Sequence, residues 1–166
     1  MIAHSQRSVR EARGLVTLTD DEARRAVEAG RKRHAASRVQ RLHNAREDLP
    51  TGEWMLHDIM GALGEFAACK ALGRTWEARI NNFHNADFGE RAQVRTSTYR
   101  NACLIVRPKD NDDHYFILVV GDAPPNKTFT VIGYIKGADA KRQRWRRNPR
   151  GIAPAYFVPQ SDLLPL

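Results

Sequence analysis

A chain of 166 residues with 27 Lys and Arg against 19 Asp and Glu carries a formal net charge of +8. Its 42% hydrophobic content suits one globular core and excludes a disordered chain. No run approaches the roughly 18 consecutive apolar residues of a membrane span, and Cys69 and Cys103 stand isolated, so a disulfide scaffold is excluded as well.

The two cysteines read as buried thiols of a cytosolic protein. The opening MIAHSQRSVREARG has no apolar signal core, which points to the cytoplasm. Charge is unevenly spread. Residues 1–50 hold 11 basic and 7 acidic side chains, residues 51–100 hold 6 and 6, and residues 101–166 hold 10 and 6. A neutral middle flanked by basic material favours a polyanionic partner, of which nucleic acid is the commonest.

In chain order, residues 1–17 form a basic arm whose Leu15-Val16-Thr17-Leu18 can pair as a short strand. Thr19-Asp20-Asp21-Glu22 is a capping box, so a helix starts there, running to about Asn44 before Glu47-Asp48-Leu49-Pro50 breaks it. Its apolar stripe is thin, and Arg24, Arg25, Arg31, Lys32, Arg33, Arg38 and Arg41 cover the rest. Both a solvated face and a phosphate-contacting helix fit that pattern.

A second helix spans about Gly52–Leu72, with Gly73 as its C′ residue. Leu56, Ile59, Met60, Leu63, Ala67 and Ala71 make its core stripe. Gly61 and Gly64 each cost about 1 kcal/mol in a helix interior, so a close packing partner or a ligand is expected at them. Glu65, among small neighbours, is either an accessible functional carboxylate or a plain surface one.

From Gly73 onward the pattern changes to strands at 84–88, 91–98, 102–107, 114–121 and 129–136. Turns are expected at Phe88–Arg91, Pro108–Asp113 and Gly121–Lys127. The run YFILVV is a central strand covered on both faces. The acidic turn Asp110–Asp113 with His114 reads as a hairpin turn in preference to a metal loop. Helices followed by strands predict an α/β or α+β sandwich in one domain: arm 1–17, Arg-rich helix 18–50, core 51–136, and basic segment with tail 137–166. In that last part, six Lys or Arg fall within residues 141–150 around Trp145. Arg142, Arg144, Arg146 and Arg147, with Arg31 and Arg38 of the first helix, are candidate phosphate contacts, and Trp145 a candidate stacking platform. Ala155–Pro159 is expected as an edge strand, and SDLLPL as a closure onto the core.

Strand parity places Gln93 and Arg95 on one face of 91–98, with Ala92, Val94 and Thr96 on the other. Asp87 lies across the tight turn. A divalent ion could be held by Asp87, the Gln93 amide oxygen and the Val94 carbonyl, with Glu65 joining directly or through water. Mg²⁺ suits such hard oxygens, with Mn²⁺ as the alternative, and would polarise a phosphate and activate a water.

These residues, GALGEFAACKALG, NADFG and AQVRTS, resemble in order and element type the PD-(D/E)XK superfamily of restriction-endonuclease-like nucleases. The resemblance covers roughly residues 52–136. It implies a mixed β-sheet flanked by helices, with Asp87 as essential metal ligand, Gln93 as second ligand, Glu65 as auxiliary, and Arg95 where the family has lysine. Small size and basic character look similar to phage-type members. Three positions depart: Ala86 replaces a proline, Gln93 an acid, and Arg95 a lysine. Arginine does not give up a proton at neutral pH, so Arg95 orients or stabilises charge but is no base.

The expected function is therefore metal-dependent hydrolysis of DNA, double-stranded DNA being the expected partner and a homodimer the candidate assembly. The alternatives are a non-catalytic DNA-binding protein on the same fold, or a structural virion protein contacting nucleic acid.

Overall fold

The computed structural model describes residues 14–39, 51–80, 87, 89 and 91–166. The elements are β1 (Leu15–Thr17), α1 (Asp20–Val39), α2 (Thr51–Ala71), β2 (Ala92–Ser97), β3 (Leu104–Val106), β4 (Tyr115–Gly121), β5 (Thr128–Lys136), the short helix α3 (Gly137–Ala140), β6 (Arg146–Arg147) and β7 (Ala155–Val158). The protein is of the α+β class. The basic arm up to residue 13, the end of the first helix beyond 39 and most of the 84–88 strand lie outside the described residues.

The start of α1 follows its sequence. Thr19 Oγ1 accepts from the Glu22 N–H at 3.2 Å, and Glu22 Oε2 accepts from the Thr19 N–H at 2.7 Å, a reciprocal capping box. α2 ends as expected at Gly73, whose φ of 63° permits the Arg74 N–H to reach the Cys69 carbonyl and its own N–H to reach that of Lys70. Ile59, Met60, Leu63 and Ala67 are buried, whereas Leu56 and Ala71 lie exposed at the two ends of the stripe.

The two helices cross closely because of one glycine. A Cβ at Gly30 would fall 2.4 Å from the Ile59 Cα, so the backbones of α1 and α2 nearly touch. Gly64 plays the same part against the sheet, since a Cβ there would meet Thr96 Oγ1 at 1.9 Å. Gly61 has nothing within 4 Å, so packing accounts for Gly64 but not for Gly61.

The strands form two sheets. A four-stranded mixed sheet has the order β1-β5-β4-β2, with β2 parallel to β4 and the other neighbours antiparallel. A three-stranded antiparallel sheet has the order β3-β7-β6. β4 is central, and its side chains divide by parity. Ile117 and Val119 enter the core beneath α1 and α2, while Phe116, Leu118 and Val120 enter a second core with Leu104, Val106, Trp145 and Val158. Helices, large sheet and small sheet thus stack as three layers. The β4–β5 pairing slips between Leu118 and Val119 of β4, which leaves Ile132 of β5 as an extra residue facing the second core.

Two connections differ from expectation. The turn at Pro108–Asp113 leads from the small sheet to the large one, because β3 pairs with β7 and not with β4. The polypeptide thereby crosses layers between β2 and β4, which is what allows those strands to run parallel. Ala155–Val158 is the middle strand of the small sheet and not an edge, since the two-residue β6 covers its other side. The tail closes on the core as expected: Tyr134 and Leu164 exchange backbone hydrogen bonds of 2.9 Å, and Leu163 packs on the second core. No described helix is long and apolar enough to cross a membrane.

Candidate functional site

The site lies where α1 and α2 pass the start of β2. Asp87 sits in a bend, its N–H donating to the Ala92 carbonyl at 2.7 Å. Its Oδ2 accepts a short hydrogen bond from the Val94 N–H. Burial lifts the Asp87 carboxyl strongly and the Glu65 charge lifts it further, while the Val94 N–H, Arg95 and Arg33 act in the opposite sense. The balance leaves it at about 7, well above an ordinary aspartate.

Glu65 is neither an open carboxylate nor a surface one. It is 5% exposed, and its two oxygens accept from the guanidinium of Arg33 at 2.6 and 2.7 Å. Arg33 Nε donates to the Arg79 carbonyl at 2.8 Å, so one side chain joins α1, α2 and the 74–80 segment. Burial would pull the Arg33 pKa down, but Glu65, through both hydrogen bonds and charge, and then Asp87 and Asp58, outweigh it and hold it raised. The pair is a fork-to-fork ion pair, the geometry guanidinium suits best.

Arg33 is the residue that sequence reading placed on the wrong face, grouped with the surface arginines. The signal was present in its spacing. Ala26, Ala29, Gly30 and His34 are buried on α1, and Arg33 is four residues beyond Ala29 and three beyond Gly30. His34 on the same face meets Asp58 Oδ2 of α2 through Nδ1 at 3.2 Å.

Gln93 and Arg95 lie on the other face of β2, as parity required. Val94 belongs to the core under the helices and Thr96 touches Gly64, whereas Arg95 stacks over Phe116 at 5.3 Å. Arg95 Nη1 donates to Gln93 Oε1 at 3.3 Å and to the Val94 carbonyl at 3.4 Å, and its Nη2 pairs with Asp110 at 3.2 Å. Asp112 and Asp113 are paired with Lys141 and Lys136. The acidic turn is thus neutralised by three cations, in keeping with its reading as a turn. Cys69 is buried near the carboxylates; burial first, then Glu65 and Asp87, push its thiol up to about 12, and it is inert at neutral pH. Cys103 is only half-buried.

Except at Asp87, whose Oδ2 accepts from the Val94 N–H, the oxygens that a Mg²⁺ ion would need are already accepting from guanidinium groups. Arg33 takes both of Glu65, and Arg95 takes those of Gln93 and Val94. In this arrangement the set does not fit a divalent ion, which requires several such oxygens at once. Among the described residues no group of three or more His, Cys, Asp and Glu side chains is placed to hold a metal.

The basic segment is built around Trp145, which is 7% exposed and packs in the second core. Arg144 covers its ring at 4.3 Å and Arg142 lies at 5.7 Å. The expected stacking platform is therefore a core anchor: its indole is consumed by packing, and its effect is to project the flanking arginines outward. Arg146 and Arg147 are exposed on β6 and line a concavity of about 320 Å³ with Gln143, Asn148 and Pro154. Arg31 is exposed on α1 and lines a second groove of about 490 Å³ against Pro124 and Pro125; Arg38 falls in the last turn of α1. Neither Glu65, Asp87, Gln93 nor Arg95 lines either concavity.

Fold and site define a three-layer α+β protein with a buried carboxylate–guanidinium cluster and an arginine-rich surface. No protein family, curated protein or solved structure matches the chain.

Proposed function

We propose that this protein binds double-stranded DNA through its arginine-rich surface, on a framework of the restriction-endonuclease-like kind. The observation that carries this reading is the strip around β6. On α1, Arg24 pairs with Asp21 and Lys32 with Glu28, while Arg25 lies over the Phe66 ring and Arg31 is exposed. Arg144, Arg146 and Arg147 have no carboxylate partner among the described residues, and the last two face a concavity whose other polar side chains are amides. Arginines without carboxylate partners, presented together on β6 and the turn before it, suit the phosphates of a duplex, whose spacing rewards several contacts at once.

Replacing Arg144, Arg146 and Arg147 together by Ala is expected to weaken DNA binding in gel shifts and to flatten its salt dependence. Each lost phosphate contact removes about 0.9 from the slope of log K against log salt, so three remove about 2.7. An unchanged slope would make the cluster a bystander.

A second reading, metal-dependent hydrolysis of the DNA with Mg²⁺ or Mn²⁺, has one observation in its favour. The Asp87 carboxyl beside Glu65 is held at about 7, which marks a site short of positive charge. That reading assigns Glu65, Asp87, Gln93 and Arg95 to the site and requires Arg33 and Arg95 to release the oxygens they hold. Supercoiled and linear DNA incubated with either metal, beside an Asp87→Ala control, separates the two. Cleavage that depends on both metal and Asp87 establishes the nuclease. Intact DNA with a salt-dependent shift leaves the binder, and no shift at low salt leaves a structural protein with another acidic partner.

A further inference from the structure

We propose that Arg33 is the resident cation of the Glu65–Asp87 site, a fixed positive charge standing where a divalent ion would otherwise be required. Its guanidinium takes both Glu65 oxygens at 2.6 and 2.7 Å, and its Nε is anchored to the Arg79 carbonyl at 2.8 Å. The side chains are 16% and 7% exposed, so the pair is shielded from competing water. A metal entering here would have to break two charge-assisted hydrogen bonds and strand a buried guanidinium without its counter-charge. Close helix packing reinforces this, since Gly30, one turn before Arg33, brings α1 against the Ile59 backbone. The site of this protein is therefore metal-independent, and its charge is supplied by a helix that lies outside the stretch resembling a nuclease.

The test compares wild type, Arg33→Ala and the double variant Arg33→Ala/Glu65→Gln in thermal unfolding, with EDTA or with millimolar Mn²⁺, alongside Mn²⁺ binding followed by electron paramagnetic resonance. Wild type is expected to unfold at the same midpoint with EDTA and with Mn²⁺. Arg33→Ala should unfold at a lower midpoint that Mn²⁺ raises, with Mn²⁺ affinity at least about tenfold tighter than wild type, equivalent to about 1.4 kcal/mol. The double variant should recover part of the lost stability without metal and lose the response to Mn²⁺.

A Mn²⁺-induced rise in the wild-type midpoint that Asp87→Ala abolishes would overturn the proposal, as would an Arg33→Ala protein that folds and gains no affinity for Mn²⁺. If Arg33→Ala does not fold, the wild-type arm and the double variant still decide: folding of the double variant in EDTA supports the resident-cation role, and its failure to fold refutes it. None of these outcomes depends on DNA, so they stand or fall apart from the DNA-binding reading.

Discussion

Asp87→Asn is expected to stabilise the protein at pH 8 and to leave it almost unchanged near pH 4. The folded-state carboxyl is raised to about 7, above its ordinary value of 3.8. A raised acid is one that the native state prefers to keep protonated. Its stabilising contribution is complete below the unfolded value and is lost as pH rises toward and through 7. At pH 8 the wild type holds a charged, half-buried carboxylate beside Glu65, at a cost on the order of 2–4 kcal/mol. Asparagine removes that charge, and its amide oxygen still accepts from the Val94 N–H. Denaturant unfolding of both proteins at pH 4, 6 and 8 tests this. Parallel curves across that range would show that the carboxyl titrates normally, and the charge balance argued for the site would be wrong.

Gly30→Ala is expected to destabilise, by about 1–2 kcal/mol, against the helix propensity that favours it. Alanine in a helix interior is worth about 1 kcal/mol over glycine. The added methyl, however, would sit 2.4 Å from the Ile59 Cα, 2.7 Å from its nitrogen and 2.9 Å from the Asp58 carbonyl oxygen. These are backbone atoms of a neighbouring helix, which no side-chain rotation can move aside. Overpacking of that kind costs typically 1–3 kcal/mol, and separating α1 from α2 also disturbs the Arg33–Glu65 and His34–Asp58 contacts that cross the same interface. Chemical denaturation against wild type reads the sign directly. A rise in the unfolding midpoint would mean that the helices can part at little cost.

The Arg33 grouping shows how far a single chain can be read. Composition identified α1 as arginine-rich, and a thin apolar stripe gave its inner face only as far as alanines. A guanidinium on that face can be buried solely because Glu65 meets it from another helix, and no local pattern contains that partner. Trp145 fails to be a platform for a related reason. Its basic neighbours suggested exposure, but the small sheet that receives it joins β6 and β7 to β3, which precedes both central strands β4 and β5 in the chain.

Local chemistry in the sequence determined what depends on neighbours in the chain: the Thr19–Glu22 cap, the Gly73 stop, the apolar run that is buried over Phe116–Val120 with Tyr115 left exposed, and the parity that sets Gln93 and Arg95 on one face of β2. Each of these rests on interactions within one turn or one strand. Tertiary structure alone decided which charges meet. Parity set the Gln93 and Arg95 side chains away from α2, so Glu65 found its partner on α1 and Arg95 found Asp110 at the inter-sheet turn. A buried charge must be matched wherever the fold brings a counter-charge within reach, and that choice is made by packing between elements, which sequence order does not encode.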